Sequence, residues 1–226
     1  MMSTDEYCDV ADVLWHSPEI FELQLEKNGM QYVSGDCVAL FGEDQKVSRP
    51  YSMASGVGEK VLRFVVRRMD GGQVSPWLAS RKRGDRVKIS PPFGWFRPGP
   101  KNDGQKFVFL ATGTGISPFL SHFRSCPEHP PLQCLYGVRQ LQDAVDLEWL
   151  RAACHVRLAV SREDVDGHLR GRVTDMLHDM PCAPDIHYYL CGLDDMIDEV
   201  SNWLENKSVP ITHIHRECFF NSSYSA

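Results

Sequence analysis

Between residues 6 and 90, apolar side chains recur in short runs separated by turn-formers. Residues 21–25, Phe-Glu-Leu-Gln-Leu, alternate apolar and polar positions, the period-two signature of a strand with one buried face. Comparable runs predict strands at 10–15, 20–25, 37–41, 51–54, 61–67 and 86–90. Lys27-Asn28-Gly29, Gly56-Val57-Gly58 and Gly71-Gly72 supply breaks. One or two helical turns at 74–80 interrupt the series. Six short strands at this spacing predict a small antiparallel barrel or sandwich. After Pro91-Pro92-Phe93-Gly94 the pattern changes. Strands at 107–111, 132–136, 156–160, 188–191 and 211–215 alternate with helical patterns ending near Arg124 and at 143–153 and 194–206. That alternation predicts a parallel sheet covered on both faces. The stretch from Arg97 to Gly104, with two prolines and two glycines, reads as a link. The expected organisation is an antiparallel six-stranded β-barrel over residues 1–98, then a parallel-sheet α/β nucleotide-binding domain over 104–226.

Composition narrows the class without naming a chemistry. At 226 residues, 42% hydrophobic and 24% charged, the chain has ordinary globular values and length for a core in each domain. The longest apolar runs, 38–41 and 107–111, are strand-sized, so no membrane span is expected. The first ten residues are polar and acidic, unlike a secretory signal, and a soluble cytoplasmic protein is expected. A net charge of −6 argues against a general nucleic-acid binder. That total hides an asymmetry. Residues 1–48 hold ten acids against Lys27 and Lys46, whereas residues 61–90 hold eight Lys or Arg against Asp70 and Asp85. The basic stretch is either a solvated face or a surface for an anion, phosphate or acidic protein. The eight cysteines form no CxxC spacing, so neither a zinc knuckle nor an iron–sulfur ligand set is expected, nor any metal.

Three stretches carry chemistry. Arg49-Pro50-Tyr51-Ser52 combines a guanidinium that can grip phosphate, a ring that can stack on a heterocycle and a hydroxyl for a ring nitrogen. Strand alternation puts Arg49 and Tyr51 on one side. Gly71-Gly72-Gln73-Val74-Ser75 precedes a short helix and reads as an anion-binding turn. Ala111-Thr112-Gly113-Thr114-Gly115-Ile116-Ser117-Pro118 follows an apolar strand, where a glycine-rich turn lets a pyrophosphate approach a helix start. It lacks the lysine of a GK[ST] loop, which disfavours ATP or GTP hydrolysis.

RPYS, GGQVS, GTGISP, YGVR (136–139), SRE (161–163) and CGLDDM (191–196) occur in the order found in the ferredoxin–NADP reductase superfamily, which the chain resembles from about residue 10 to 220. The resemblance implies an FAD-binding barrel and an NADP-binding domain, with hydride passing between them at their junction. It implies that Arg49 holds the flavin diphosphate beside Pro50, that Tyr51 stacks on the isoalloxazine and that Ser52 bonds near its N5. Val65 and Val66 would give backbone contacts to FAD; Gly72, Val74 and Ser75 would bind its diphosphate. Thr114 and Gly115 would approach the nicotinamide pyrophosphate, and Cys191 would lie beside the nicotinamide. Glu217 matches a glutamate that precedes a flavin-covering tyrosine by two residues, and it is the candidate proton relay. Phe219 replaces that tyrosine, and Phe219, Phe220 and Tyr224 compete for the covering role. Ser52, Cys191 and Glu217 are thus the candidate catalytic residues.

Ser161-Arg162 marks the strand end where the adenosine ribose should lie. NAD sites usually place an acid there, whereas NADP sites need cations for the 2′-phosphate. Arg162, with Arg170 and Arg172 in GHLRGR, favours NADPH, although Glu163 could weaken it. The expected function is an FAD-containing oxidoreductase moving electrons between NADPH and a separate one-electron carrier, an acidic ferredoxin or flavodoxin. Arg81-Lys82-Arg83 is a candidate docking patch for that carrier. The alternatives are a reductase of free flavin, ferric chelates or an oxygenase partner, or a non-catalytic electron-transfer subunit. Oligomeric state stays open, with a monomer favoured.

Overall fold

A computed structural model describes residues 6–101 and 104–220. The chain divides into two units. One takes residues up to Arg97 together with Ser117–Ser125; the other takes Pro98–Ile116 and the residues from Cys126 onward.

The first unit is a six-stranded antiparallel sheet. Its strands are β1 (Glu6–Trp15), β2 (Ile20–Glu26), β3 (Cys37–Phe41), β4 (Ser48–Ser52), β5 (Val61–Arg67) and β6 (Arg86–Ile89), ordered β4-β3-β6-β1-β2-β5. The two edges approach where Ala54 N–H donates to the Arg63 carbonyl at 2.7 Å, which curls the sheet into a barrel. Phe21, Leu23, Leu25, Leu40, Leu62, Phe64 and Val87 fill it, the alternate residues that the period-two pattern singled out. β4 starts three residues earlier than expected. It pairs with β3 from Phe41↔Ser48 to Cys37↔Ser52, so Arg49 and Pro50 are strand residues. Proline is tolerated there because β4 is an edge strand, where a missing N–H breaks no ladder. The helix α1 (Ser75–Ala79) is one residue shorter at each end than the expected 74–80.

Charge asymmetry along the chain resolves in this unit. Antiparallel pairing lays β5 along β2 and β6 along β1, so the basic stretch meets the acidic one. Arg63 pairs with Glu22 at 3.0 Å, Arg67 with Glu19 at 2.5 Å and Arg86 with Asp9 at 3.9 Å. Arg68 and Arg81 pair locally with Asp70 and Asp85. Lys82 and Arg83 remain exposed, with no ion pair among the described residues.

The second unit is a parallel sheet in the order β10-β9-β8-β7-β11-β12. The strands are β7 (Phe107–Thr112), β8 (Gln133–Val138), β9 (Val156–Val160), β10 (Leu169–Arg170), β11 (His187–Leu193) and β12 (Ile214–Phe220). β8 is buried at every position, as expected of a strand covered on both faces. Of the helices after α1, α4 (Asp194–Asn206) matches its helical pattern, whereas α3 (Leu147–Ala153) starts four residues later than the expected 143, after a 3-10 turn at Leu141–Asp143. α2 (Ser117–Ser125) belongs with the barrel: Arg124 Nη1 donates to the Ala54 carbonyl at 2.5 Å, and Ser125 Oγ accepts from Val57 N–H at 3.0 Å. The 3-10 segment Val173–Asp179, absent from the sequence reading, buries Val173, Met176 and Leu177 beside α4. Strand order steps outward from β7 to β8 and β9, then returns to β11 on the other side of β7. Ligands of open α/β sheets bind at such a reversal, at the carboxyl ends of the strands.

Candidate functional site

On the barrel, the RPYS run occupies edge strand β4. Arg49 is exposed, its Nη1 donates to the Ser48 carbonyl at 2.8 Å, and it has no ion pair among the described residues. Tyr51 lies two residues on, half-buried against the barrel core, and burial pushes its phenol up to about 12. It is therefore a neutral ring at any working pH. Ser52 ends the strand, buried, on the face opposite to Tyr51 by strand alternation.

β5, at the other edge, offers backbone. Arg63 turns its carbonyl outward to Ala54 N–H and its N–H outward to Ser55 Oγ. Two residues on, Val65 presents its N–H and carbonyl on the same open edge, whereas Val66 faces β2 opposite Phe21. Of the two valines, only Val65 has the backbone orientation that a ligand could use. In the GGQVS turn, Gly71 holds a φ of +78° and a Cβ on Gly72 would meet the Met69 carbonyl at 2.9 Å. Val74 is buried. Ser75 is too, and its Oγ accepts from Met69 N–H at 3.0 Å, which closes the loop while the O–H can still donate.

In the second unit, the carboxyl ends of β7 and β11 meet closely. A Cβ on Gly115 would collide with the Cys191 carbonyl group, and one on Gly192 (φ +139°) with Thr112 Oγ1. Leu193 N–H donates to that same Thr112 Oγ1 at 2.9 Å. Glycine is thus required for backbone proximity at the strand reversal. Thr114 and Gly115 lie buried in the 3-10 turn Gly113–Ile116. Thr112 and Gly192 are additions of the structure: both lie inside the quoted motifs, but their roles depend on a contact between residues 80 apart.

Cys191 and Glu217 are register partners on β11 and β12. Cys191 Sγ points at Glu217 Oε2 at 3.9 Å. Burial, then the Glu217 carboxylate, pushes the thiol well above its ordinary value. Cys191 is consequently a protonated donor and not a nucleophile. β12 begins at Ile214 rather than 211, because Ile211–His213 forms a 3-10 turn before pairing with Tyr188 starts. This shift puts Glu217 and Phe219 in a strand. Phe219 is half-buried; the Phe220 side chain and Tyr224 lie outside the described residues.

At the end of β9, Ser161 Oγ donates to the Val138 carbonyl at 3.3 Å. Arg162 is exposed, without an ion pair among the described residues. Glu163 accepts from Leu141 N–H, which commits its carboxylate to the neighbouring loop. Arg170 reaches Asp164 at 3.7 Å, and Arg172 is exposed.

Residues 10–97 match the oxidoreductase FAD-binding domain and residues 109–202 the oxidoreductase NAD-binding domain. The chain belongs to the ferredoxin–NADP reductase superfamily. Among characterised superfamily members, it is 29% identical over 185 residues to the reductase component, a ferredoxin–NAD(P)(+) reductase, of a naphthalene 1,2-dioxygenase system of Pseudomonas putida, covering 76% of this chain and 56% of that one. It is 32% identical over 180 residues to the NADH oxidoreductase HCR of Escherichia coli, covering 76% and 54%. The chain thus spans about half the length of the curated relatives it matches. A ferredoxin NADP+ reductase from Neisseria gonorrhoeae with bound FAD and NADP shares the fold at a TM-score of 0.85 and 18% identity, over 97% of this chain and 100% of that one. The ferredoxin reductase in carbazole 1,9a-dioxygenase gives a TM-score of 0.80 at 26% identity, over 97% and 70%.

The donor set of this superfamily member fits the two groups its domains are named for. The barrel offers an exposed guanidinium, a neutral half-buried phenol and an open backbone edge to a flavin dinucleotide. The parallel sheet offers a cradle at its strand reversal that side chains on Gly115 or Gly192 would fill.

Proposed function

We propose that the protein is an FAD-dependent reductase that takes hydride from NADPH and passes electrons singly to a separate carrier protein, a ferredoxin or flavodoxin. The observation that carries this reading is the register of β11 and β12, which sets Cys191 against Glu217 beside the Gly115–Gly192 cradle. FAD, when bound, supplies the conversion between a two-electron hydride and single electrons. Arg49 and the Val65 backbone edge would hold it, Tyr51 would cover its ring, and Ser52 would orient its reacting nitrogen. Thr114 and Gly115 would bind the nicotinamide nucleotide. The Cys191 thiol, kept protonated, would donate toward Glu217, and that carboxylate would move a proton at the reacting ring edge.

Preference for NADPH is supported by the exposed Arg162, backed by Arg170 and Arg172, and by the commitment of Glu163 to Leu141. Among the described residues no group of three or more His, Cys, Asp or Glu is arranged to hold a metal ion. We assign the one-electron acceptor to a separate partner protein, a reading supported by the reductase-component names of the relatives. No helix among the described residues is long and apolar enough to cross a membrane. The oxygenase-system names of the relatives favour a second reading, in which the acceptor is an oxygenase component.

The test begins with purified protein reconstituted with FAD and mixed anaerobically with NADPH or NADH while flavin absorbance is followed. Faster bleaching by NADPH is expected, and Arg162→Ala should reduce that preference by about tenfold, the lower end for one charge-assisted hydrogen bond. Ser52→Ala should slow bleaching while FAD stays bound. A preparation that cannot be reconstituted with FAD overturns the proposal. Faster bleaching by NADH with no response to Arg162→Ala overturns the cofactor preference alone.

A further inference from the structure

Arg124, in the last turn of α2, lies outside the six motifs, and its side chain is only 11% exposed. A guanidinium so enclosed is costly unless acceptors meet its hydrogens. The barrel supplies them. Arg124 Nη1 donates to the Ala54 carbonyl at 2.5 Å, and Arg124 Nε lies 3.6 Å from Glu59 Oε1. Glu59 Oε1 also accepts from Gly56 N–H at 2.7 Å, and Glu59 Oε2 lies 4.0 Å from Arg63 Nη1. A Cβ on Gly56 would meet Arg124 Cβ at 2.9 Å, so the chain at Gly56 runs directly against the helix end. Ala54 is where the barrel closes. Its N–H donates to the Arg63 carbonyl of β5 at 2.7 Å while its own carbonyl accepts from Arg124. Ser52 ends β4 two positions before Ala54, and Val65 continues the open edge of β5 two positions after Arg63.

We propose that Arg124 is a positioning residue for the flavin site. It clamps the barrel seam, gripping Ala54 directly and Arg63 through Glu59. The clamp fixes the separation between the end of β4, which carries Tyr51 and Ser52, and the β5 edge, which carries Val65. Arginine suits this task because its rigid planar fork can reach a carbonyl and a carboxylate at once. On the β5 side, Arg63 is held in turn by the buried Glu22 at 3.0 Å. The proposal rests on the reading of the barrel as the unit that holds FAD, and it gives the far end of the helix that follows the GTGISP turn a task in that unit.

The test measures FAD binding by quenching of flavin fluorescence and the visible circular dichroism of the bound flavin, with a urea midpoint for each protein without added FAD. Arg124→Met should weaken FAD binding about tenfold, the lower end for one charge-assisted hydrogen bond, and alter the flavin dichroism. Arg124→Lys, which keeps a donor for Ala54, should recover most of both. Ser125→Ala removes the acceptor of Val57 N–H at the same helix end; it should lower the urea midpoint and leave FAD affinity and dichroism as in wild type. Wild-type affinity and dichroism in folded Arg124→Met overturn the proposal. So does an equal loss in Ser125→Ala, which would make Arg124 a stabilising residue only. If Arg124→Met fails to fold, Glu59→Gln takes its place: weaker FAD binding is expected, and unchanged binding overturns the clamp. Wild-type protein that takes up no FAD overturns the FAD reading and the clamp with it, whereas bound FAD insensitive to these substitutions overturns the clamp alone.

Discussion

Gly192 stands where β11 leaves the sheet, with a φ of +139° and the Thr112 side chain and backbone in the space a Cβ would fill. Gly192→Ala would therefore combine backbone strain with overpacking, each costing about 1–3 kcal/mol. A fall in the denaturation midpoint is expected, with weakened nicotinamide-nucleotide binding measured by calorimetry. Gly29 provides the contrast. Its φ is +79°, but a Cβ there meets nothing within 4 Å, so only the strain remains and Gly29→Ala should cost less. The motif strings marked residues such as Arg49, Cys191 and Gly115 as chemical candidates. They could not show that Gly115 and Gly192 serve one close approach, because that contact joins two strands far apart in the chain.

Among the elements, the β2–β5 pairing concentrates most electrostatic cost at one place. Glu22 is only 2% exposed and accepts from Arg63 Nε at 3.0 Å and Gln24 Nε2 at 2.6 Å. Arg63→Met would leave a buried carboxylate with one polar partner. The expected loss is about 2–3 kcal/mol, below the ~3–5 for a fully buried pair because Arg63 is partly solvated. Arg67→Met removes the partner of Glu19, which is 56% exposed, and should cost under about 1 kcal/mol. Urea titrations of the two variants check this ordering. The same elements show where pattern reading falls short. The sequence pattern puts β4 at 51–54 because proline reads as a break, and only the edge position of the strand makes Pro50 acceptable. The pattern puts β12 at 211–215 because Ile211, in a 3-10 turn, resembles a strand start.

At the scale of the whole chain, acid sensitivity is expected from the amino end of the parallel sheet. His187 Nδ1 and His215 Nε2 lie 3.0 Å apart, His213 stacks on His187 at 4.0 Å and Tyr189 on His215 at 4.4 Å. Burial chiefly, then Lys101 and the neighbouring imidazoles, lowers His215 to about 4, and burial with His213 and Lys101 lowers His187. Both therefore bind fewer protons folded than unfolded, where a histidine titrates near 6.5. Their contribution to stability is complete above about pH 6.5 and is lost as pH falls toward about 4. A denaturation midpoint that declines over that window is expected. His215→Phe, which keeps a ring on Tyr189 and removes a titrating group, should flatten the decline.

Two periodicities, a glycine-rich turn after an apolar strand and six motifs in order were enough to read from sequence the succession of antiparallel barrel and parallel sheet. These are local signals: burial of one strand face, or φ freedom in a turn, marks neighbouring residues directly. Tertiary structure decided what lies between distant residues. It set Cys191 against Glu217, 26 positions away, and paired Arg63, Arg67 and Arg86 of the basic stretch with Glu22, Glu19 and Asp9 of the acidic one. Such partners depend on strand register, which the packing of whole sheet faces determines and no single segment encodes.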